Sequence, residues 1–197
     1  GLSTIVDAIK IAREIFARIK NFMSYRLAAS MQLLFYFFIA VLTIHPNEYS
    51  DETNTDNWPY MYGMPVLLLM LITLLNDGAL ITIGYDNVSG SPQPTSWNIQ
   101  MLFTVSFVMA AVACASSLLL LHLALGSGQP DSLFQRIGLP EMSWGHVTTM
   151  MYLKVSVSDF LTLFSCRAGE EYWWKSKPAS IVATAAFIAL SSSTVVA

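Results

Sequence analysis

Three charged side chains lie inside long apolar runs of this sequence. They are Asp77, within Leu74-Leu75-Asn76-Asp77-Gly78, and Lys154 and Asp159, within the run from Gly145 to Ser165. Charges so placed are costly and commonly face a partner, a cavity or a transport path. Asp77 falls about six residues before the end of its run, roughly 9 Å inside at 1.5 Å per residue. Away from water a carboxylate is tolerated neutral or paired. Asp77 could therefore hold a proton and release it when a conformational change hydrates it or brings a cation near, which is the chemistry of a proton carrier. Asn76 supplies a donor and acceptors, and Gly78 removes a side chain, so either could open the helix locally to water. The alternative is a structural aspartate neutralised by Lys154 or bonded to backbone. Lys154 and Asp159 are five residues apart, about 140° around a helix. Each should point to a different neighbour, in the pathway or in a helix-to-helix ion pair. Gln32, alone in the middle of another apolar run, reads as interhelical glue worth about 1 kcal/mol or as a pathway group.

Other chemistries have less support. Calcium takes six to eight oxygen ligands, and two carboxylates with a lysine close by start poorly; a proton needs one group. Cys114 and Cys166 stand apart and read as small buried hydrophobes. His45, His122 and His146 are scattered, which disfavours the converging ligands of zinc. No cofactor or metal site is expected within the chain. No basic patch is dense enough to neutralise a phosphate backbone, so nucleic acid is not an expected partner.

The elements that must position these groups are membrane helices. Of 197 residues, 54% are hydrophobic and 12% charged, about half the charge of a soluble domain. Disorder and collagen-like order are excluded. A bilayer core about 30 Å thick needs roughly 20 apolar residues in a helix, and five such runs occur: 27–44, 60–83, 101–125, 145–165 and 179–197. Pro65 should kink the second. Before the first, Ile5, Ile9, Ala12, Phe16, Ile19 and Met23 recur at spacings of four and three, the pattern of an amphipathic helix. With no Gly or Pro between, residues 1–26 should continue into the first span as a stalk rising from water.

Lys and Arg favour the cytoplasmic side of short loops. Lys10, Arg13, Arg18, Lys20 and Arg26 precede the first span and Arg167, Lys175 and Lys177 follow the fourth, whereas the loops on the opposite side hold Arg136 alone. The amino end should be cytoplasmic. Tyr172 to Lys175, with Trp173-Trp174, reads as an interfacial anchor.

Three pieces resemble a known family. Gly1-Leu2-Ser3-Thr4-Ile5-Val6 leads to Arg13-Glu14-Ile15-Phe16-Ala17-Arg18-Ile19-Lys20-Asn21; Leu75-Asn76-Asp77-Gly78 is followed by Ile81-Thr82-Ile83; and Tyr152-Leu153-Lys154-Val155-Ser156 comes later. In order and spacing these resemble the P-type plasma-membrane proton ATPases of plants, fungi and protists. The resemblance implies an all-α membrane protein whose residues 1–26 leave a phosphorylation domain and whose spans, in residues 27–197, are helices five to nine. It places Asp77 at the family's proton-accepting aspartate, and Gln32 where plant pumps carry an arginine and fungal pumps a histidine. Lys154, a glutamine in many relatives, could supply a substitute charge.

The resemblance further implies ATP-driven proton export across the plasma membrane, with magnesium and ATP bound elsewhere in the full-length protein. The expected partners are the lipid bilayer, the transported proton and the remaining cytoplasmic domains and membrane helices. No Asp-Lys-Thr-Gly-Thr phosphorylation motif is present, so this stretch is not expected to hydrolyse ATP alone. A secondary cation or proton transporter, a channel, and an inactive interaction module are the competing readings.

Overall fold

The structure is a computed structural model that describes residues 1–49, 58–88, 90, 96–128, 136, 142–168 and 178–197. Among the described residues the principal helices are α1 (Leu2–Thr43), α2 (Val66–Thr82), α3 (Ile99–Leu125), α4 (Trp144–Ala168) and α5 (Ser180–Val196). Short 3-10 turns follow α1 at Pro46–Tyr49, α2 at Ile83–Tyr85 and α3 at Gly126–Gly128. No strand occurs among the described residues.

Helix α1 runs unbroken for 42 residues, about 63 Å at 1.5 Å per residue. Its amphipathic first half and apolar second half form one rod, because nothing between them lacks an amide hydrogen or favours another backbone conformation. One stripe of its apolar half is buried: Tyr25, Ala28, Ala29, Gln32, Tyr36 and Ala40. The alanines bring neighbouring backbones close, as small residues do between membrane helices. Leu34, Phe38 and Leu42 stay exposed on the other side.

Pro65 does not kink α2. It stands just before the first helical residue, and its carbonyl accepts the amides of Leu68 and Leu69 at 3.0 and 3.3 Å. A proline lacks the amide that an interior position would use, while a helix start leaves that donor unpaired in any case. The expected run from Tyr60 thus divides into a non-helical approach and a helix. Asn98 caps α3, its side chain accepting the Met101 amide at 3.2 Å, a standard N-terminal closure.

By length and composition, α1, the stretch Val66–Tyr85 and α3 can each cross a membrane. Helix α5 is a shorter apolar helix, and α4, of 25 residues, carries Lys154, Asp159 and Arg167 within it. Cross-helix pairs give the directions. Arg18, Arg26 and Tyr36 meet Gly84, Asp77 and Tyr62 in turn, so α1 and α2 are antiparallel. Met109 meets Cys166 and Ser117 meets Lys154, which makes α3 and α4 antiparallel as well.

The buried apolar residues form two clusters. One holds Tyr36, Ala40, Tyr62, Ile72, Cys114, Leu121, Met151, Tyr152 and Val155. The other holds Tyr25, Ala29, Ala79, Leu80, Ile83, Phe160, Leu163, Cys166 and Val182. The anchor expected from Tyr172 to Lys175, and the acidic residues Asp51, Glu52 and Asp56 of the first loop, lie outside the described residues.

Candidate functional site

Between the two apolar clusters, three helices each present polar groups at the same level. On α1, Gln32 lies between Ala29 of one cluster and Tyr36 of the other; on α2, Asn76 lies between Ile72 and Ala79; on α4, Ser156 and Asp159 lie between Val155 and Phe160. All four are 5% exposed or less. Asn76 donates its side-chain amide to one carboxylate oxygen of Asp159, and Ser156 shares a hydroxyl contact of 2.9 Å with Ser193 of α5. A polar layer therefore crosses the bundle between two apolar plugs.

The layer is only partly satisfied. The second carboxylate oxygen of Asp159, the carbonyl oxygen of Asn76 and both amide atoms of Gln32 have no hydrogen-bond partner among the described residues. The hydroxyls of Tyr25 and Tyr152, in the flanking clusters, are also unpartnered there. Buried polar groups are otherwise almost always paired, and leaving one unpaired costs about 1–3 kcal/mol.

Asp77 points elsewhere. One residue beyond Asn76 it is turned about 100° around α2, out of the layer and toward α1, where its carboxylate pairs with the Arg26 guanidinium. About half of each side chain stays exposed, 48% for Arg26 and 46% for Asp77. A groove along the outer face of α2, lined by Leu67, Met70, Leu71, Thr73 and Leu74, ends at Asp77. From Leu67 to Asp77 it extends about 15 Å.

Lys154 and Asp159 go to different helices. The Lys154 ammonium donates to the Ala113 carbonyl at 3.0 Å, to the Ser116 hydroxyl at 2.7 Å and to the Ser117 hydroxyl, all on α3. It is fully used as a donor and makes no contact with Asp77. The partner of Asp77 is instead Arg26, which the sequence offered only as one of several basic residues before the first span. The available signal was its position: it is the last charge before an apolar run, level with a carboxylate on the next helix.

A second unforeseen pair closes one end of the bundle. Asp86, just after α2, receives the Arg167 guanidinium at 2.7 and 3.0 Å and the Ala179 amide at 3.1 Å. Both side chains are essentially inaccessible, at 1% and 0%. This bidentate geometry ties the ends of α2 and α4 to the start of α5.

The sequence comparisons are consistent with this frame. No family model matches the chain. Over 201 aligned residues and the whole of this chain it is 45% identical to "Probable proton ATPase 1A" and to "Probable proton ATPase 1B", both of Leishmania donovani. The chain fits a segment of a P-type proton ATPase. It spans about a fifth of the length of those curated relatives, 20% of each. "Plasma membrane ATPase 1" of Saccharomyces cerevisiae is 29% identical over 175 residues, which cover 88% of this chain and 16% of the yeast protein. The segment fits an all-α membrane bundle, with α1, the stretch Val66–Tyr85 and α3 long and apolar enough to cross a bilayer.

Proposed function

We infer that the full-length protein is an ATP-driven proton exporter of the plasma membrane, and that this segment carries the proton. The cytoplasmic stalk is residues 1–26, the amino end lies inside, and the bundle of residues 27–197 crosses the membrane five times. Magnesium and ATP are handled by other parts of the protein; the residues here bind, hold and release the proton.

The observation that supports this reading is the ion pair between Arg26 and Asp77. Arg26 belongs to a rod that continues unbroken from the stalk, so a force applied to the stalk end reaches the guanidinium without being absorbed by a hinge. In this reading, motion of the stalk withdraws and returns Arg26, breaking and remaking the ion pair of the carboxylate that carries the proton. A nearby cation favours the charged carboxylate by this mechanism. Asn76, beside Asp77 in the chain, is bonded to Asp159 in the polar layer, where Gln32 also lies. Those unmatched groups offer hydrogen bonds to water and protons moving between the plugs. Lys154, fastened to α3, holds the bundle beside this path.

The test is proton transport by the full-length protein in vesicles. Asp77→Asn should abolish transport, and Arg26→Ala should slow it at least about tenfold, the kinetic equivalent of about 1.4 kcal/mol. Arg26→Lys should restore part of the rate. Wild-type pumping by Asp77→Asn would refute the assignment.

A further inference from the structure

A cleft opens between α1, α3 and α4 toward the stalk end of the bundle, on a face the proton path does not use. It is lined by Lys20, Asn21 and Ser24 of α1, Leu102, Val105 and Met109 of α3, and Cys166 of α4, with Met101 and Ser165 at its edges. Its volume is about 160 Å³. The lining is sorted by depth. The Ser106 hydroxyl donates to the Ser24 carbonyl at 3.1 Å, which sets the level of α1 against α3. Lys20 then lies one turn toward the stalk, beside Met101, and Met109 lies at the far end against Cys166, their sulfurs 3.5 Å apart. From Met101 to Met109 the wall extends about 12 Å.

The deep end is therefore made of aliphatic and sulfur groups, and the charged and amide groups gather at the mouth. Lys20 is exposed and has no acidic partner among the described residues. The Asn21 amide makes only a long contact of 3.5 Å with the Arg167 carbonyl. Arg167 itself is committed to Asp86. Val105 and Met101 stay 40% and 53% exposed beside this opening.

We propose that this cleft binds one anionic phospholipid of the cytoplasmic leaflet, an acyl chain lying along Leu102, Val105 and Met109 and the phosphate meeting Lys20 and Asn21. The charge of the mouth and the apolar floor match the two ends of such a lipid. Lys20 lines the cleft with Met101, the first residue of the third apolar run, and so stands where the polar zone of a bilayer begins. The leaflet rests on the orientation inferred above; the binding does not depend on transport.

The full-length protein, reconstituted in phosphatidylcholine vesicles containing about one fifth phosphatidylserine, is irradiated in the presence of photoactivatable phosphatidylserine and re-isolated. Labelling should map to the stretch from Met101 to Met109. Lys20→Gln should lower the preference for phosphatidylserine over phosphatidylcholine about fivefold, the equivalent of the roughly 1 kcal/mol that one basic residue contributes near an anionic surface. Val105→Trp, which fills the cleft and leaves the charge in place, should remove labelling by both lipids. Label absent from Met101–Met109 in the wild type, as when another helix of the protein covers the cleft, overturns the proposal. So does unchanged labelling in Val105→Trp, or unchanged preference in Lys20→Gln. A wild-type protein that is labelled as expected while Asp77→Asn still pumps would refute the transport reading and leave this one standing.

Discussion

Two carboxylates of the bundle sit in different surroundings. Asp77 is half-exposed and faces a guanidinium; Asp159 is buried and faces a carboxamide. Their difference follows from Asn76 and Asp77 being consecutive, so that α2 turns one inward and the other toward α1. Gln32 sharpens the distinction between packing and transport. An amide that served only as glue would be bonded across the helices, yet both its polar atoms lack partners among the described residues. Replacing a buried, unmatched polar group by an apolar one of similar shape is close to neutral or stabilising. In the full-length protein Gln32→Leu should therefore keep or raise the unfolding temperature while lowering the rate of proton transport. A fall in both would identify Gln32 as a structural group.

The helices are held at two kinds of joint. Mid-bundle, Lys154 fastens α4 to α3 through three acceptors, which accounts for a lysine in this helix without a carboxylate in contact. At one end, Asp86 and Arg167 join α2, α4 and α5. Breaking a buried ion pair by removing one member typically costs about 3–5 kcal/mol, because the remaining charge is left uncompensated. Arg167→Met should lower stability by about that amount, read as loss of folded protein in a thermal titration in detergent. The double variant Asp86→Leu with Arg167→Met should recover part of the loss. If the double variant were less stable than Arg167→Met, the amide of Ala179 rather than the guanidinium would be the main partner of Asp86.

Across the whole molecule, the long rod of α1 is in contact with the segment that joins α2 to α3. Arg18 reaches the Gly84 carbonyl at 3.4 Å, and the rings of Phe16 and Trp97 meet edge to face with centroids 5.0 Å apart. Gly90 lies so close that an added Cβ would be 3.0 Å from the Cβ of Arg13 and 3.2 Å from the Glu14 amide nitrogen. A backbone neighbour cannot rotate aside as a side chain can. Gly90→Val should push this segment off the stalk and weaken the mechanical link between stalk and bundle. In the full-length protein the expected result is ATP hydrolysis retained and fewer protons moved per ATP, measured in the same vesicles. An unchanged ratio would mean that the contact carries no coupling.

Much of this was legible in the sequence because lipid permits few backbone solutions. Apolar runs of sufficient length must become helices whose hydrogen bonds close internally, so the helical class and the continuity of α1 follow from hydropathy and from the absence of breakers between residues 2 and 43. The unusual groups Gln32, Asp77, Lys154 and Asp159 are visible for the same reason, since polar atoms stand out against an apolar background. Partnership is a different matter. That Asp77 meets Arg26 while Asn76 meets Asp159 depends on how α2 is rotated in the bundle, where it packs mainly against α4 and α5. The position of Pro65 outside α2 depends on where the chain turns, and the link from Asp86 to Arg167 joins residues 81 apart in the chain. Local periodicity records which residues can be buried; only the packing of one helix against another decides which charges share a level and a distance.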